Sequence, residues 1–136
     1  MKNLRLLRVA GQAALIVLAR VLVLTSWGAG AESPRLRITN ESAQPLEGLV
    51  VLFPEEEVVF GDVAPGETTD YEAVSEGVYR YAAYRFEVNG EEVTQPVLDW
   101  VGEQPISGEA FTYVLDYDPT REPIQQVVLV EVVQDE

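Results

Sequence analysis

Two kinds of side chain in this sequence carry chemistry that a site would need: clustered carboxylates and aromatic rings. Asp116, Asp118 and Glu122 fall around one proline-containing turn. Hard oxygen ligands so spaced suit Ca²⁺. Tested as an EF-hand beginning at Asp116, the pattern fails, because the glycine position is Arg121 and the bidentate glutamate position is Val127. The three acids therefore stand only as candidate ligands of an irregular site, and a solvated turn at a strand end is the simpler account. Asp99, Glu103 and Asp116 are the carboxylates from which a glycosidase-like acid/base pair would be drawn. With 23 acids in the chain, two carboxylates close together mean little. Among the aromatics, Trp100 is the expected ligand or partner contact, with Asp99 beside it. It sits in a stretch rich in loop residues, whereas Tyr71, Tyr79, Tyr81, Tyr84, Tyr113 and Tyr117 mostly fall at positions expected to face inward.

What is missing narrows the chemistry further. The 136 residues include no cysteine and no histidine. Disulfides, zinc sites built on those ligands, haem ligation through them and Ser-His or Cys-His nucleophile pairs are excluded. No GxSxG, P-loop or dinucleotide fingerprint occurs, and no cofactor is expected. A pI near 4.2 also argues against nucleic acid as a partner, since binding it requires cations that displace counterions from phosphate.

The charge is unevenly spread. Residues 1–31 hold Lys2, Arg5, Arg8 and Arg20 and no acid, so 23 carboxylates face five arginines in the remainder, a balance of −18. A basic start, an apolar run from Ala13 to Leu24 and Ala29-Gly30-Ala31 together read as a secretory signal cleaved after Ala31. Arg20 opposes the alternative of a retained membrane anchor, because an arginine at mid-membrane costs about 2.5–3.5 kcal/mol on insertion scales. The expected organisation is a signal segment over 1–31 and one domain over 32–136, periplasmic or extracellular, touching the membrane only during export. Without disulfides, that domain must close its core by packing alone.

The elements that position these residues follow a period of two, the signature of strands with one buried face. Leu36 and Ile38 should face inward from a strand over 35–39, and Leu49 to Phe53 reads as a central strand. Pro54 then breaks the pattern, with Glu55, Glu56 and Glu57 behind it and a short strand at 58–60. These acids would suit a cation or a basic partner, but charges beside a proline also protect a strand edge from pairing. Ala64-Pro65-Gly66-Glu67 predicts a type II turn. The spacing predicts one long strand over 78–88, an Asn89-Gly90 type I′ hairpin turn, and a return strand over 91–97. A β-bulge at Ala82-Ala83 would bring Tyr79, Tyr81, Tyr84, Phe86 and Val88 to one side and leave Arg80 and Arg85 in water. Ala110 to Tyr117 alternates cleanly, and a final strand over 124–133 is apolar on both faces. Such a strand must be paired and covered, or must add to a partner protein or to a second copy. Asn40-Glu41-Ser42 fits the N-glycosylation pattern.

The run from Phe60 to Tyr71, closed by Gly77-Val78-Tyr79, together with Ala110 to Leu115, resembles small exported bacterial β-sandwich proteins of uncharacterised function. The resemblance implies a sandwich and no particular activity. The expected fold is all-β: a single antiparallel β-sandwich of seven or eight strands, immunoglobulin-like or transthyretin-like. The expected role is a non-enzymatic binding or structural module of the cell envelope. A Ca²⁺-stabilised accessory or adhesive domain is the alternative, and a carboxylate-pair hydrolase comes last.

Overall fold

The computed structural model describes residues 33–135; the expected signal segment lies outside them. Within that span are eight strands: β1 (Arg35–Asn40), β2 (Leu46–Phe53), β3 (Glu56–Val63), β4 (Glu72–Ala73), β5 (Ala83–Val88), β6 (Glu91–Gln95), β7 (Ala110–Tyr117) and β8 (Val127–Asp135). One 3-10 turn, Pro123–Gln125, precedes β8. The strands form two four-stranded sheets, ordered β4-β1-β7-β8 and β3-β2-β5-β6. Together they enclose one core to which both sheets contribute, including Leu36, Ile38, Phe111 and Leu115 from the first and Leu49, Val51, Tyr84 and Phe86 from the second. The architecture is all-β with almost no helix, as a sandwich requires.

Local chemistry explains most of the strand ends. Asn89 and Gly90 both take positive φ, 53° and 80°, the geometry of a type I′ turn between β5 and β6. At Ala64-Pro65-Gly66-Glu67 the Glu67 amide donates to the Ala64 carbonyl at 3.0 Å and Gly66 has φ 79°, giving the expected type II turn. β3 is an edge strand, so the acids after Pro54 do lie along an open edge. One of them does more. The Glu56 carboxylate accepts the Ser75 and Glu76 amides at 3.0 and 3.1 Å, tying the next loop to that edge.

Several expectations need correcting. The pairing is not wholly antiparallel, because β1 runs parallel to β7 over six residues. Some seventy residues separate the two strands, ample for the crossover that a parallel pair needs. The expected long strand over 78–88 with a bulge at Ala82-Ala83 is absent. β5 begins at Ala83 and the preceding segment is irregular. Tyr79 still packs against the core and Arg80 is exposed, but because the chain leaves the sheet there. Two other contacts hold that segment: the Ile106 amide donates to the Val78 carbonyl at 2.7 Å, and the Tyr113 hydroxyl donates to the Tyr79 carbonyl.

Tyr71 lies not inward but against the outer face of β1, with the guanidinium carbons of Arg35 and Arg37 4.9 and 4.7 Å from its ring centre. Its hydroxyl donates to Asp135, as does Thr112, pinning the end of β8. The Asn40 sequon is closed in the fold. Asn40 is fully buried, and its amide nitrogen is already committed to the Gln44 and Val63 carbonyls at 2.8 and 3.0 Å. Its oxygen accepts the Ser42 amide and hydroxyl at 2.9 and 2.6 Å.

Replacing Asn40 with alanine removes all four bonds at once. An expected loss of about 2–4 kcal/mol, scaled from the cost of leaving buried groups unpaired, should appear as a lowered urea midpoint. The buried phenols predict a pH response. Burial raises Tyr84 and Tyr113 above the ordinary value of 10.0, and Tyr84 raises Tyr113 further. Their stabilisation is complete below pH 10 and is lost above it, where the unfolded chain ionises first. The urea midpoint should therefore fall above pH 10, and less steeply in Tyr84→Phe.

Candidate functional site

The loop joining β6 to β7 brings a built arrangement of aromatic and acidic side chains to the surface. β6 stops at Gln95, whose side-chain amide bonds both backbone groups of Val127, giving to its carbonyl at 2.7 Å and receiving its N–H at 2.8 Å. Pro96 follows and has no N–H to extend a ladder. At the other end, Pro105 packs so close to Gly77 that a Cβ there would come within 2.7 Å of it, and Ile106 bonds Val78. Both stems of the loop are held.

Between them the chain folds on itself. The Asp99 carboxylate accepts the Val101 amide at 2.8 Å, and the Glu103 amide donates to the Trp100 carbonyl at 3.1 Å with Gly102 at φ 81°. The Trp100 ring stacks on Tyr81, 5.3 Å between centres and 20° between planes, and meets Tyr79 edge-on at 5.3 Å. Tyr79 stacks on Phe53, and Phe53 meets Tyr113 edge-on. An unbroken line of aromatic contacts therefore runs from the loop to the fully buried Tyr113, each favouring offset or edge geometry. The Tyr81 hydroxyl donates to the Asp99 carbonyl oxygen at 3.1 Å. Its pKa is raised, first by the neighbouring Glu103 carboxylate and then by desolvation and the charge of Asp99.

Trp100 thus anchors the loop rather than standing free, and the exposed apolar surface belongs to its neighbours. Leu98 is 80% exposed and Val101 87%. Neither was singled out from the sequence. The available signal was an apolar run, Val97-Leu98 and Trp100-Val101, lying between Pro96 and Gly102 where a polar loop is the rule.

The carboxylate candidates are dispersed. Asp99 and Glu103 flank Tyr81, while Asp116 pairs with Val128 across β7 and β8 and accepts the Tyr117 amide at 2.9 Å. Asp118 is engaged in its own turn. One oxygen accepts the Thr120 amide and hydroxyl at 2.9 and 2.6 Å, the other lies 3.6 Å from Arg121, and the Thr120 bonds hold its carboxyl below the ordinary range. Glu122 is exposed at the start of the 3-10 turn. Among the described residues no three acidic side chains converge in a way that could hold a metal ion.

No protein-family model and no curated protein matches the chain. Among solved structures, it is similar to the NMR structure of a protein from Eubacterium rectale. The TM-score is 0.51 at 17% identity, over 79% of this chain and 94% of that one. At this identity the likeness concerns the fold alone.

Trp100→Ala should loosen the loop by removing two aromatic contacts, each worth about 0.5–1.5 kcal/mol beyond burial. Amide exchange should speed up at Val101 and Glu103 while the core strands stay protected. Leu98→Ser should change unfolding free energy by less than about 0.5 kcal/mol, as expected at a surface position.

Proposed function

We propose that this chain is an exported, non-enzymatic β-sandwich module of the cell envelope that binds a protein partner through the loop between β6 and β7. One observation carries the reading: Leu98 and Val101 project into solvent from a loop whose stems and central tryptophan are all held in place. Exposing two large apolar side chains on one short loop costs solubility unless they meet a partner. Holding them rigidly lowers the ordering entropy that binding must overcome. The surrounding acids, Asp99 and Glu103, favour a partner whose apolar pocket is rimmed with basic groups. Export rests on the basic start, apolar run and Ala29-Gly30-Ala31 of the N-terminal segment.

Of the two sandwich types expected, the transthyretin-like one is favoured. Immunoglobulin domains place their first two strands side by side in one sheet, whereas here β1 and β2 belong to different sheets.

A photo-crosslinking amino acid placed at Leu98 in producing cells tests the binding reading. It should yield a discrete adduct that disappears when Val101 is also changed to aspartate. The same group at Val59, which is exposed on β3, should not yield that adduct. Identical adducts from both positions, or none from Leu98, would overturn the proposal. N-terminal sequencing of the exported chain should begin at Glu32.

A further inference from the structure

The two outer strands that face each other at one side of the sandwich are unequal. β8 has nine residues and β6 only five. The Gln95 amide joins the end of β6 to the first residue of β8, so β6 can cover only the beginning of its longer neighbour. The consequence appears at Val132 and Gln134. In the ladder they sit opposite Tyr113 and Phe111, and both of those residues are fully buried. Pleating therefore puts Val132 and Gln134 on the core-facing side of the sheet. Yet Val132 is only half-buried and Gln134 is exposed. The second sheet does not reach them.

The gap is an open pocket of about 360 Å³ lined by Arg80, Ile106, Phe111, Val132 and Gln134, a size usual for small-molecule sites. Its lining is mixed, with Ile106, Phe111 and Val132 beside Arg80 and Gln134, and its one charged group is Arg80. In a region holding 23 acids and five arginines, Arg37, Arg85 and Arg121 each lie within 4.0 Å of a carboxylate. Arg35 stacks on Tyr71. Arg80 makes no ion pair among the described residues. A guanidinium offers a fork of donors matched to a carboxylate, and here it lines a partly apolar recess amid an excess of acid.

We propose that this uncovered end of the sandwich binds a free monocarboxylate with an apolar chain, its chain against Ile106 and Val132 and its carboxylate on Arg80. The site is separate from the exposed loop residues Leu98 and Val101, and its failure would leave the partner-binding reading intact.

Decanoate, below its micellar concentration, is the probe. Titrated into isotopically labelled protein, it should shift the methyl resonances of Ile106 and Val132 saturably. Decanol, with the same chain and no charge, should bind more weakly. Arg80→Gln changes an exposed side chain and should weaken decanoate roughly tenfold, the loss expected of a charge-assisted contact, while leaving decanol unchanged. Val132→Phe, which fills the recess, should weaken both. Phosphatidylglycerol vesicles should leave the two methyl groups unmoved. No saturable shift at Ile106 and Val132, a decanoate preference that survives Arg80→Gln, or shifts produced only by vesicles would each overturn the assignment.

Discussion

The hydroxyl of Tyr113 donating to the carbonyl of Tyr79 is the contact on which the loop between β6 and β7 depends. Tyr113 belongs to β7 in one sheet, and Tyr79 to the irregular segment leading into β5 of the other. The bond satisfies a buried phenol and at the same time fixes a stretch of backbone outside any ladder. Without cysteine, no covalent cross-link can do this work. Once Tyr79 is held, its ring can lie between Phe53 and Trp100, and the loop bearing Leu98 and Val101 inherits its position from the core. Nearby, the Tyr84 hydroxyl is buried with no hydrogen-bond partner among the described residues. This interior is therefore built mainly on packing and tolerates one polar group at a cost.

A second constraint is the mismatch in strand length at the β6–β8 side. Because β6 ends at Gln95 and Pro96 cannot continue it, the chain leaves the second sheet early. The same departure has two effects. It creates the loop that carries the exposed apolar pair, and it leaves the far half of β8 facing no strand. Ile106, returning along Val78, fills only part of that opening. The loop surface and the pocket lined by Arg80 are thus two products of one early strand end.

Much of the architecture was legible in the chain. Alternation placed Leu36, Ile38, Phe111, Tyr113 and Leu115 inward because a pleated strand turns successive side chains to opposite faces. Asn89-Gly90 and Pro65-Gly66 gave their turns because few other residues adopt those dihedral angles readily. The site was less legible. Trp100 was legible as a loop aromatic, but its packing was not, since Tyr79 and Tyr81 approach it only when the segment before β5 leaves the sheet. Alternation also suggested one long strand with a bulge there. A bulge and a strand that has not yet begun put the same residues on the same side, and period alone does not distinguish them.

What the sequence determined by itself is therefore local: the period-two strands, the positive-φ turns, the acidic surface and the exclusion of cysteine and histidine chemistry. Each follows from a residue's own stereochemistry or charge. The tertiary structure decided the parallel pairing of β1 with β7, the burial of Asn40, the anchoring role of Trp100 and the pocket beside Arg80. Those depend on which distant segments meet and on how long each strand stays paired. They are set by packing between residues far apart in the chain, where no local preference reaches.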